Sequence, residues 1–136
     1  MSIKISRITP KGCIGESFLL LCEAKMLFSF FLVFGILCFF HYLADYPLQG
    51  DFLSKAKNHI TPIPHVPWKH ALFAHSFIHA GFVYLATGYV FLFFAELVAH
   101  AVIDYRKNSG EITFAGDQYA HLICKAVWAL AVVLLP

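Results

Sequence analysis

A chain of 136 residues has room for one domain, and this one is 60% apolar, 17% aromatic and only 13% charged. A water-soluble domain carries about twice that charge, so the composition argues against a soluble globular fold. The net charge of +2 comes with no basic patch interleaved with aromatics and no phosphate-cradling glycine loop, which speaks against nucleic-acid and nucleotide binding.

Residues 1–25 differ from the rest of the chain. They carry Lys4, Arg7, Lys11 and Lys25 against Glu16 and Glu23, and the apolar run Phe18 to Cys22 is too short to span a bilayer. A secretory signal is disfavoured because Glu23 and Lys25 interrupt the apolar stretch and no small-residue cleavage site comes after it. The expected division is therefore an N-terminal extension over 1–25, with Met26 as an alternative start, and a transmembrane domain over 26–136.

The first expected span covers 26–45, with Pro47 ending it by biasing Tyr46 away from helical geometry. A polar connection runs to Pro67 and ends in TPIPHVP, whose alternating prolines favour an extended path at the interface. Residues 68–105 are almost continuously apolar, too long for one span and suited to two. Thr87-Gly88-Tyr89 is the expected break, giving a tight hairpin of spans 68–87 and 89–105. After the RKNSGEITFAG loop a fourth span covers 117–135. The expected fold is thus an all-α integral membrane protein, four transmembrane helices in an up-down bundle, with helices two and three forming the hairpin.

Ionisable residues inside these spans are the informative feature. His41 and Asp45 end the first span, His75 and His79 begin the second, Glu96, His100 and Asp104 end the third, and Asp117 and His121 begin the fourth. Each internal step is four residues, which keeps each group on one helix face. In an up-down path all four groups fall at one end of the bundle, while the other end offers little beyond Ser29, Tyr84, Thr87 and Tyr89. Each charged group within a span costs about 2.5–3.5 kcal/mol on insertion scales, so such groups face the interior and one another.

Five imidazoles with four carboxylates suit zinc, iron or manganese. The Glu-x-x-His step of di-iron bundles is replaced here by steps of four, which leaves identity and number of the metal open. The expected metal ligands are His41, Asp45, His75, His79, His100, Asp104, Asp117 and His121, with Glu96 as general base. Gln49, Asp51, Lys107 and Gln118 are expected beside the ligands or against substrate. Lys125 either points at the site or snorkels to the interface, and His59, His65 and His70 are expected at the interface. The four cysteines (Cys13, Cys22, Cys38, Cys124) show no C-x-x-C spacing, and the three in or beside apolar stretches are expected as small apolar filler.

The ordered elements HYLADYPLQGDF, a histidine opening the second span, HAVIDYRK and DQYAH resemble the bacterial and phage membrane proteins grouped as domain of unknown function 3307. The resemblance covers about residues 36–125 and takes in His41, Asp45, Gln49, Asp51, His75, His100, Asp104, Lys107, Asp117, Gln118 and His121, but not His79 or Glu96. It implies a site without naming its chemistry. Membrane-bound metal-dependent hydrolases are more distantly similar in their scattered His and Asp pairs, but their H-R-x-x-T-H-S run has no counterpart here.

The resulting functional expectation is a one-sided His/carboxylate metal site, most simply a metal-dependent hydrolase of lipid or lipid-linked substrates. The competing expectations are an ion or proton transporter and a non-catalytic membrane interaction module. The lipid bilayer is the expected partner, with homo-oligomerisation open and nucleic acid excluded. From Met1, Lys and Arg number four on the N-terminal side and five on the connection side. From Met26 the count becomes zero against five, which places the site toward the cytoplasm of a bacterial inner membrane.

Overall fold

The computed structural model describes residues 11–135 and contains helices and no strand among them. Residues 1–10, with Lys4 and Arg7, and the side chain of Cys13 lie outside the described part. The helices are α1 (Lys11–Leu43), a π-helical turn (Ala44–Leu48), α2 (Gly50–Ala56), α3 (Trp68–Thr87), α4 (Val90–Asn108) and α5 (Phe114–Leu134). The chain is all-α.

Helix α1 does not begin near Met26. Its 33 residues make a rod about 50 Å long, because Leu, Ala, Glu and Lys dominate 18–25 and no proline interrupts them. Pro47 does not stop the chain either. The helix widens into the π turn, which accommodates a residue without an N–H and relieves the clash of its ring with the preceding turn. Gly50, at φ 59°, then redirects the backbone into the short helix α2, where the sequence pattern predicts only an irregular connection.

The break between α3 and α4 falls where expected. Gly88 adopts φ 75° and its N–H donates to Tyr84 O at 2.7 Å, the left-handed cap that lets a helix stop abruptly. Thr113 caps α5 by accepting from Gly116 N at 3.1 Å. Helix α1 packs on α3 and α5, and α4 packs on the same two, so the four long helices close into a ring. The α2 helix lies against α3 at the end where α1 finishes.

Two segments, Ser17–Leu48 and Phe114–Leu134, are long and apolar enough to cross a membrane. Helices α3 and α4 are of similar length to α5, 20 and 19 residues, and like it each buries three polar side chains. Buried positions in α4 (Leu92, Glu96, His100, Asp104) and α5 (Asp117, His121, Lys125, Ala129) recur every four residues. One end of each stripe is apolar. Leu37, Val83, Leu92 and Ala129 meet there, surrounded by Phe34, Ala86 and Trp128 among others.

Candidate metal centre

The polar ends of the stripes converge. His41, His75, His79, His100 and His121 are all buried, as are Glu96, Asp104 and Asp117. Stacking links His79 to His100 at 3.7 Å between ring centroids and His100 to His121 at 4.1 Å, while His41 lies 5.0 Å from His121. Asp45 enters from the π turn: Oδ1 is 3.0 Å from His79 Nε2 and 3.3 Å from His75 Nε2, and Oδ2 is 3.4 Å from His41 Nε2. The widened turn thus aims a carboxylate at the bundle axis just beyond the end of α1.

Several of these contacts are close without being hydrogen bonds. The Nε2 atoms of His41, His75, His79 and His100, the Nδ1 atoms of His41 and His121, and Asp117 Oδ1 are buried with no aligned partner. Such groups are costly unless something satisfies them. The tautomer of His100 follows from its neighbours. Glu96 Oε1 accepts from Lys125 Nζ and its Oε2 from Trp128 Nε1 at 2.7 Å, so Glu96 is an ionised acceptor. His100 Nδ1, 3.1 Å from Glu96 Oε1, is then the donor, and its Nε2 presents a bare lone pair to the cluster.

Three sets of ligand atoms each lie within 4.8 Å of one another: Asp45, His75, His79 and His100; His41, His100 and His121; and Asp104, Asp117 and His121. Ligands of a tetrahedral zinc ion sit about 3.3 Å apart for bonds near 2.0 Å. Asp45 Oδ1 to His75 and His79, and Asp117 Oδ1 to His121 Nε2 at 3.5 Å, already approach that spacing. These groups could hold a metal.

Lys57 is the residue beside the cluster that sequence reasoning misses. By pattern it is a loop charge, yet it is 3% exposed. Its Nζ sits 2.5 Å from Asp104 Oδ2, and its carbonyl accepts from Asn108 Nδ2 at 3.1 Å. Nothing in its immediate sequence signals this, because its position depends on how α2 folds over the bundle mouth. Lys125, for which the sequence left both an inward and a snorkelling placement open, is 1% exposed and pairs with Glu96.

A cleft of about 190 Å³ leads to the cluster, walled by Asp45, Gln49, Lys57, Asp104, Lys107, Asp117 and Gln118. Gln118 Nε2 donates to Asp45 Oδ2 at 3.1 Å and to Asp117 Oδ2 at 3.2 Å, tying α5 to the π turn. Asp51 is not part of this. Its side chain is 99% exposed and approaches only Lys55, at 4.0 Å. His65 and His70 are exposed outside the cluster, and His59 stacks on Tyr105 at 4.0 Å. Cys22, Cys38 and Cys124 are free thiols and belong to none of the ligand sets.

The geometry defines a class first: a helical bundle with a buried His/carboxylate cluster at one end, reached through a polar cleft. The chain belongs to the DUF3307 family of proteins of unknown function, whose pattern matches residues 32–135. Comparison with curated proteins and with solved structures gave no match.

Proposed function

We propose that this protein is a polytopic membrane protein whose four long helices span the bilayer and whose buried cluster binds a divalent transition metal, zinc, iron or manganese. Its surface supports the first part. Phe73, Phe77 and Leu85 of α3, Phe91, Phe94 and Val98 of α4, and Ile123, Val127 and Leu134 of α5 are exposed. With apolar residues outside and ionisable ones inside, the bundle is suited to lipid and unsuited to water.

The single observation that carries the second part is the set of four buried imidazole Nε2 atoms without hydrogen-bond partners, aimed into one cluster. Charge agrees. Four carboxylates (Asp45, Glu96, Asp104, Asp117) face two ammonium groups (Lys57, Lys125), leaving two negative charges among five imidazoles that must be neutral to act as ligands. A dication balances that charge.

The most economical activity is hydrolysis of a lipid or lipid-linked ester reaching the cleft from one side of the membrane. A bound metal would supply water activation and polarisation of the phosphoryl or acyl oxygen. The protein's own groups divide the remaining work. Glu96, expected from sequence as general base, has both oxygens engaged and is better suited to holding His100 in its donor-to-Glu tautomer. Asp45, Asp104 and Asp117 line the cleft and are the carboxylates that would hold the metal there. Gln118 keeps two of them in register. The apolar cluster of Leu37, Val83, Leu92 and Ala129 beneath the site weighs against a conduit, which needs polar groups to both faces.

Elemental analysis of detergent-purified protein is the test: bound metal in the parent chain and less of it in His100→Ala are expected. A metal-free parent protein would remove the reading. Protease accessibility of the 57–67 connection on the cytoplasmic side tests the proposed orientation.

A further inference from the structure

The three ligand sets overlap, but two of them share no residue. Asp45, His75, His79 and His100 form one, and Asp104, Asp117 and His121 form the other. Asp104 stands between them. Its Oδ2 lies 3.6 Å from His75 Nε2 and 3.8 Å from His100 Nε2, whereas its Oδ1 lies 3.9 Å from His121 Nε2. One carboxylate therefore turns a separate oxygen toward each set.

From this arrangement we infer that the centre takes two divalent cations bridged by Asp104, and that its substrate class is a phosphate ester rather than an uncharged acyl ester. The inference rests on the proposed metal centre and deepens it. A carboxylate has about four lone-pair directions, enough to face two cations and still accept from Lys57 Nζ at 2.5 Å. His100 and His121, one from each set, stack at 4.1 Å between centroids, which suits the about 3.5–4 Å separation of paired catalytic cations.

Charge then selects the substrate. Two dications exceed the two uncompensated negative charges of the buried cluster, so the loaded site is positive and surrounded by protein of low dielectric. An anion must enter to neutralise it. The cleft is the way in, and Lys107 on its wall adds a further positive group. A phosphate oxygen between two cations meets that requirement. A neutral acyl ester leaves the excess charge unmet.

The experiment counts metal per chain in the detergent-solubilised protein after loading with Mn²⁺ and removal of free ion. Two per chain are expected. Asp117→Asn and His79→Gln are each expected to retain one, and Asp104→Asn fewer than either. One ion in the parent chain, or two retained in Asp117→Asn, overturns the paired centre while leaving a metal site standing. No ion at all overturns both. Electron paramagnetic resonance of the loaded parent chain keeps the question decidable if a variant does not fold. An exchange-coupled multiline spectrum is expected, and an isolated six-line signal overturns the bridge. Inorganic phosphate is the probe for the anion. By calorimetry it is expected to bind the Mn²⁺-loaded protein at least about tenfold more tightly than the chelator-treated protein, and equal binding overturns the phosphate assignment.

Discussion

The two ends of this bundle are built from the same four helices and the same four-residue stripe, yet they are held together differently. At one end Leu92 and Ala129 continue the stripes of α4 and α5 into an apolar cluster with Leu37 and Val83. At the other the same stripes carry His100, Asp104, Asp117 and His121. Between them lies the Glu96–Lys125 pair with Trp128, neutral as a unit and buried. In the proposed bilayer placement the apolar end gains little from the hydrophobic effect and relies on packing. The polar end there relies on mutual satisfaction of groups that have no other partner. The site end is therefore also the structurally demanding end.

The largest expected effect comes from the boundary between the two. Lys125→Met leaves Glu96 as a buried, partly unpaired charge and is expected to destabilise the protein by about 3–5 kcal/mol, read as a fall in Tm in detergent. The double variant Glu96→Gln/Lys125→Met should recover most of that loss. If the double variant is no better than the single, the pair does not form the boundary between the two ends.

Metal removal should act on the polar end alone. At free metal about 1,000 times the Kd, binding stabilises the folded state by about 4 kcal/mol, so chelation is expected to lower Tm substantially. Acidification should do the same, since protons compete with metal for the imidazoles and affinity falls as pH falls. A Tm that does not depend on chelator would show that the polar end holds itself together.

Smaller effects are expected elsewhere. Leu92→Ala, at a fully buried apolar position, should cost about 1–2 kcal/mol through lost packing, less than in a water-soluble core because lipid solvates leucine well. Metal content should stay unchanged, and loss of metal in this variant would mean that the two ends are coupled. Lys57→Met removes a positive charge from Asp104 and should tighten metal binding by about tenfold, or about 1.4 kcal/mol, with equilibrium competition against a chelator as the readout. Asp51→Asn, fully outside the cleft, should leave metal content as it is.

Much of this is legible in the chain. Period-four spacing of His, Asp and Glu in four separate segments, together with alternating helix direction, puts the clusters at one end, because side-chain direction in a helix follows from position alone. The hairpin at Gly88 is legible because few residues other than glycine accept its backbone angle. The inward direction of Lys125 is not legible, because the same spacing also allows it to snorkel. Lys57 and the pairing of Asp45 with α3 are not legible either, because each depends on where a bend sends the chain.

The sequence by itself determined an all-α chain, the hairpin, and the histidine and carboxylate stripes that gather at one end. Spacing along a helix is a local property, and local geometry is enough to read it. Only the tertiary structure decided that Pro47 sits in a π turn which swings Asp45 onto His75 and His79, and that α2 brings Lys57 down onto Asp104. It also decided that Glu96 has no free oxygen, while the Nε2 atoms of His41, His75, His79 and His100 lack partners. Those outcomes depend on contacts between residues far apart in sequence, and no periodicity within a single segment encodes them.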